Sequence, residues 1–136
     1  MPHLSTDRYL QARAALHAIA RPLELRLFEY HFEGAPAWPV IDALSAFQND
    51  DGGFGHGLEP DAQTAASGAE ATSVALLRLV EAEAPASHPM VRAAVGYLER
   101  TLDPEKRTWQ IVPDATADAP HAPWWHPDGL AERFHG

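Results

Sequence analysis

The run Gln48-Asn49-Asp50-Asp51-Gly52-Gly53-Phe54-Gly55, directly behind an apolar helical segment ending at Phe47, restricts this chain more than any other stretch. Asn49, Asp50 and Asp51 carry short polar side chains that bond nearby backbone, so they end a helix and open a turn. Gly52 and Gly53 permit the positive φ that a tight reversal needs. Phe54 is then placed to fold back as an apolar plug, while Gly55 and Gly57 let the backbone run close to a neighbour. The amide of Gln48 can bond carbonyls left open at the helix end. The order GxGxxG and the P-loop lysine are both missing, which sets aside a phosphate cradle. Gln48 also stands where a calcium loop needs an acid. The residues describe a structural turn that staples two helices.

Helical patterns lie on both sides of this turn. Ser5, Thr6 and Asp7 can cap a first helix, in which Tyr9, Ala12, Leu16 and Ile19 recur at helical spacing. Pro22 suits the first turn of a second helix reaching about Phe32. That helix has two apolar rows, Leu23, Leu27, Tyr30 and Leu25, Phe28, Phe32, so it is expected to be largely enclosed. Gly34 and Pro36 break the chain before a short helix from Trp38 to Phe47. From about Ala69 to Glu83, Val74, Ala75, Leu76, Leu77, Leu79 and Val80 surround a helix that reads as buried and inner. Ser87 is expected to cap the next, one-faced helix, with Val91, Val95, Leu98 and Leu102 inward. A last short helix is expected after Asp128, holding Leu130, Ala131 and Phe134. Alternation never outlasts Thr108–Val112, so the class is all-α.

The chain has 136 residues, enough for one domain with a real core, and residues 1–136 are read as one. A net charge of −9 would be repelled by a phosphate backbone, so nucleic acid is excluded as a partner. Cysteine is absent, which removes disulfides and thiolate chemistry. No signal-peptide pattern opens the chain, and no apolar run reaches membrane-spanning length. A soluble, cytoplasmic protein is expected.

The Gln48–Gly55 loop, between an apolar helix and a further helical hairpin, resembles the repeat loop of terpenoid cyclases and protein prenyltransferase β-subunits, the squalene-cyclase type of repeat. A faint second copy is visible, in which Asp103-Pro104 and Trp109 echo the turn and Phe54. The resemblance implies an α/α-toroid of antiparallel hairpins. Residues 5–135 supply roughly half a ring, so the chain is expected to be a fragment, a homo-oligomer or a subunit completed by another chain.

The family's chemistry is carried over residue by residue. Class II cyclases protonate an alkene with the middle acid of Asp-x-Asp-Asp. The nearest match is Glu59-Pro60-Asp61-Ala62, which lacks the last acid. By that carry-over Asp61 is the candidate proton donor and Glu59 the neighbouring charge that tunes it. Prenyltransferases hold zinc through Asp, Cys and His, and without cysteine that set is not available. A histidine site from His56, His121 and His126 lacks ligand spacing, so no metal and no cofactor are expected. Ligand-binding candidates cluster at loops that would rim the cavity: Asp50, Asp51, Phe54, His56, Trp109, Trp124 and Trp125, with Trp38 a further loop aromatic. The expected ligand is an apolar isoprenoid bound without an intact catalytic motif. Alternatives are a non-catalytic assembly module, or an α/α-barrel protein acting on carbohydrate, where tryptophans would stack on sugars.

Overall fold

The computed structural model describes residues 4–128. Among them all regular structure is helical: α1 (Thr6–Ile19), α2 (Pro22–Glu33), α3 (Trp38–Ser45), α4 (Ala69–Glu81) and α5 (Pro89–Thr101), with 3-10 turns at Asp114–Asp118 and Pro123–Trp125. The all-α class expected from the pattern is the class the chain adopts. Pairing outside the helices is limited to isolated bridges, such as Asp103 with Thr108. Leu130, Ala131 and Phe134 lie outside the described residues. No described helix is long and apolar enough to cross a membrane. The chain divides into two compact units, residues 1–43 and 44–136, with the division falling inside α3.

In the first unit, Ser5 caps α1 by accepting from the Arg8 N–H, and Gly34 closes α2 in the left-handed conformation at φ 71°. Contrary to the enclosed helix expected from its two apolar rows, α2 buries only Leu23, and Phe32 is exposed. One row is instead an aromatic ladder at the surface: Phe28 stacks on Tyr9 of α1 at 6.0 Å and on Phe32 at 5.4 Å. Ion pairs dress the same helices, with Arg21 to Glu24 and Arg26 to Glu29 within α2, and Arg13 of α1 to Glu33. Exposed pairs of this kind add little to stability, because water and salt screen them and ordering the side chains costs entropy.

The second unit is built on the α4–α5 hairpin. Its helices run antiparallel, because Tyr97, late in α5, donates its hydroxyl to the Ser67 carbonyl just before α4. Thr72, Ala75 and Leu79 of α4 are buried, as are Met90, Ala94 and Tyr97 of α5. Both rows have the i, i+3/i+4, i+7 spacing of a single helix face. Two expectations are corrected here. The inner helix surrounded by apolar contacts is one-faced, for Leu77 and Val80 are 66% and 73% exposed. On α5 the inward row is Met90–Ala94–Tyr97, one position off the expected Val91–Val95–Leu98. Tyr97 decides that rotation, because its polar tip reaches a carbonyl while its ring fills space under the glycine loop. His88, not Ser87, caps α5, its ring Nδ1 accepting from the Met90 N–H.

Candidate functional site

The glycine loop is packed into the second unit along its whole length. Gly52 has φ 88°, and a Cβ there would stand 2.5 Å from the Ala93 carbonyl oxygen of α5. A Cβ on Gly53 would strike Ser67 and the Tyr97 ring, and one on Gly55 would lie 2.3 Å from the Ala66 oxygen. So Gly52 answers both to backbone conformation and to close approach, and Gly53 and Gly55 to close approach. Between them Phe54 is fully buried. Its N–H donates to the Thr72 hydroxyl at 3.0 Å, and its carbonyl accepts from Gly68 N at 3.0 Å. Thr72 passes its own proton to the Gly68 carbonyl at 2.7 Å, so the plug is bonded to the first turn of α4 at both ends.

The loop's polar side chains look inward to its own scaffold. Gln48 Nε2 donates to the Gly52 carbonyl and to Met90 of α5, not to the end of α3 as its place in the sequence suggests. Asn49 Nδ2 donates to Ala65 O and Ser67 Oγ, which leaves Asn49 Oδ1 facing His56 Nε2 at 2.8 Å. An amide oxygen can only accept, so His56 Nε2 carries the proton. His56 itself occupies the left-handed region at φ 54°. Asp51 Oδ1 accepts from Gly53 N and from Ser67 Oγ, and its carbonyl accepts from Arg100. Burial and the nearby Asp51 charge raise the Tyr97 pKa, which keeps that phenol a neutral donor. Of the loop candidates only Asp50 stands exposed with no partner among the described residues.

Glu59 and Asp61 belong to a second constellation. The segment after the Asp114–Asp118 turn lies along residues 61–63: Ala122 N donates to the Asp61 carbonyl, and Gln63 N to the Pro120 carbonyl. The exposed Trp124 donates its indole N–H to Asp61 Oδ2 at 3.2 Å. Asp61 therefore tethers the Trp124 segment through both its backbone and its carboxylate. The rings of His121 and His126 are 5.4 Å apart. Trp125 Nε1 is buried without a hydrogen-bond partner.

Where α4 begins, the chain leaves an open groove of about 340 Å³. Ala69, Glu70 and Ser73 of α4 form one wall, with Leu98 of α5 and Thr108, Trp109 and Ile111 forming the others. Two bonds fix its shape: Trp109 Nε1 donates to Leu98 O at 2.7 Å, and Glu70 N donates to Ile111 O at 3.1 Å. The second satisfies one of the amides left open at a helix start. Glu70 is the only charged group in the lining, and its carboxyl has no hydrogen-bond partner among the described residues. Burial, and then the negative charges of Glu59 and Asp61, push its pKa up to about 7.

No family model, curated protein or solved structure matches this chain. Of the residues singled out in the sequence, the structure brings Glu59 and Asp61 electrostatically to bear on Glu70 and places Trp109 in the groove. Phe54, Asp51 and His56 belong to the loop's internal scaffold instead. Glu70 itself escaped the sequence reading, because an acid in the first turn of a helix is ordinary dipole complementation. A signal was present in its placement just before the apolar stretch of α4, nine residues after Asp61. In the first unit, His17, Glu29 and Glu33 bring possible ligand atoms within 4.8 Å of one another, the one such cluster among the described residues. Its two carboxylates already pair with Arg26 and Arg13. His56, His121 and His126 do not form such a cluster.

Proposed function

We propose that this chain is a ligand-binding module of the α/α-toroid kind, which holds a small apolar molecule of isoprenoid type in the groove at the start of α4. The observation that carries the reading is the lining: Leu98, Trp109, Ile111 and Ala69 offer an apolar bed, and one carboxyl offers orientation. Sites for small molecules combine these two ingredients, in volumes of about 300–1,000 Å³. The groove falls at the small end of that range, which suits one short prenyl chain better than a long polyene. Support for the toroid comes from the second turn. Asp103 bridges Thr108, and Asp103 Oδ1 accepts from the Glu105 and Lys106 amides, as Asp51 Oδ1 does from Gly53. In both turns an Asp side chain thus accepts from amides just after it, a likeness that supports the repeat.

The reading is one of binding, not turnover. Asp61, the carried-over proton donor, is engaged in holding the Trp124 segment, and a cyclase's last acid is missing from Glu59–Ala62. A titration of ¹⁵N-labelled protein with geraniol tests the site. Saturable shifts confined to the Trp109 indole and the Glu70, Ser73 and Leu98 amides are expected. Shifts scattered over the surface, or none up to the solubility of geraniol, contradict it. A second reading, an assembly module covered by another copy, is favoured by the bare Leu77 and Val80 on α4. Sedimentation equilibrium at micromolar concentration separates the two, since a strict monomer rejects the assembly reading.

A further inference from the structure

We propose that the ligand of this groove is an organic cation: an amine whose ammonium pairs with Glu70 while its hydrocarbon part lies over Trp109, Leu98 and Ile111. The inference rests on the groove being the binding site and goes on to name the charge of what it takes. It stands on charge complementarity. Glu70 is the one charged group in an otherwise apolar lining, and it is unpaired among the described residues. The two charges that bear on it, Glu59 and Asp61, are both negative. No arginine or lysine lines the groove, and the whole chain carries a net charge of −9. One carboxyl in an apolar groove, with the charges of Glu59 and Asp61 acting on it, sets up a negative potential that a cation relieves and an anion worsens. Trp109, held by its bond to Leu98 O, lines the same groove, and aromatic rings attract ammonium groups as well as hydrocarbon.

Proton linkage follows from the same geometry. In the empty groove, burial and like charges hold part of the Glu70 population protonated near neutral pH. An incoming ammonium favours the carboxylate, so binding expels a proton. A neutral ligand that accepts a hydrogen bond from the carboxylic acid would have the opposite requirement. The pH dependence of binding therefore reports the charge of the ligand. The acids whose charges act on Glu70 are Glu59 and Asp61, both on the preceding loop. The lining contributed by α5 and by residues 108–111 is uncharged. His121 and His126 are the titratable side chains on the segment bridged to that loop at Ala62.

The test uses the full chain and a matched pair of probes, geranylamine and geraniol, followed by calorimetry at pH 6 and pH 8. Geranylamine is expected to bind roughly tenfold more tightly at pH 8 than at pH 6, as the ionised fraction of Glu70 rises across its titration. Near pH 7 about half a proton should be released per site, read from buffers of different ionisation enthalpy. Glu70→Gln should remove both the slope and the preference for the amine, and His121→Gln should leave both in place. Equal binding of amine and alcohol, or tighter amine binding at pH 6, overturns the cation assignment while leaving the apolar groove standing. Failure of both probes to bind the wild-type chain overturns the groove itself. Because the amine–alcohol contrast is read on the wild type, a Glu70 variant that folds poorly does not blunt the test.

Discussion

The glycine loop and the groove lie in the same unit, yet they treat their polar groups in opposite ways. Between Gln48 and His56 nearly every side chain closes on a partner inside the protein: Asn49 on Ala65, Ser67 and His56, Asp51 on Gly53 and Ser67, Gln48 on Gly52 and Met90. In the groove, the carboxyl of Glu70 closes on none of the described residues. A composition that stands out in a sequence can thus be wholly consumed by making a turn. A residue of ordinary type acquires a shifted pKa when its neighbours bury it and crowd it with like charge. The loop accounts for part of how the chain folds, and the groove is where the proposed binding is sought.

The contrast can be broken most forcefully at Gly55. Gly55→Ala places a methyl 2.3 Å from a backbone oxygen that no rotamer can move, so destabilisation at or above ~3 kcal/mol is expected in urea unfolding. A near-neutral result would show that the loop is loosely seated. Phe54→Ala should cost about 3–5 kcal/mol, since the ring is fully buried and leaves a cavity behind.

Glu70→Gln probes the other side. A carboxyl with its folded pKa raised to about 7 binds a proton more tightly in the native state than in the unfolded chain. The native state therefore loses stability as pH climbs from the ordinary glutamate range to about 7, with the full penalty present above that. Allowing for solvent at a half-buried side chain, Glu70→Gln should gain ~1–2 kcal/mol at pH 8 and close to nothing at pH 4. Melting curves at the two pH values check the sign. A stabilisation that is the same at both would point to packing, not to charge.

Smaller effects sharpen the line between the regions. Thr116 is fully buried and its hydroxyl has no partner, so Thr116→Val should be neutral or stabilising by about 1 kcal/mol. Asp50, the exposed and unbonded member of the loop, should tolerate Asp50→Asn within ~0.5 kcal/mol. A large loss there would reveal a role that the turn geometry does not contain.

Much of the fold was legible. Ser5 as a cap, Pro22 in a first turn, Gly34 at a helix end and Phe54 as a plug each follow from local chemistry, which a single sequence carries. The faces of the helices were harder. Val91, Val95 and Leu98 are the more apolar row of α5, but Met90, Ala94 and Tyr97 are inside, because small Ala94 and hydrogen-bonded Tyr97 fit beneath a loop brought there from distant sequence. Leu77 and Val80 read as core on apolar character alone, and only tertiary placement leaves them bare. The site was the least legible part. Asp61 and Glu59 match a cyclase motif incompletely, while their effect is on Glu70, whose burial arises when residues 108–111 cross the start of α4. No spacing rule reports that crossing.

The most direct measurement is a ¹³C titration of the Glu70 side-chain carboxyl in the unliganded chain, assigned by the signal that disappears in Glu70→Gln. A midpoint of about 7, well separated from the ordinary glutamate range, is expected. It should move down when Glu59 and Asp61 are replaced by Asn or Gln, since part of the rise is due to their charges. A Glu70 midpoint within the ordinary range, unmoved by those replacements, would mean that the groove neither buries nor charges its carboxyl, and the division between a structural loop and a functional groove would fall.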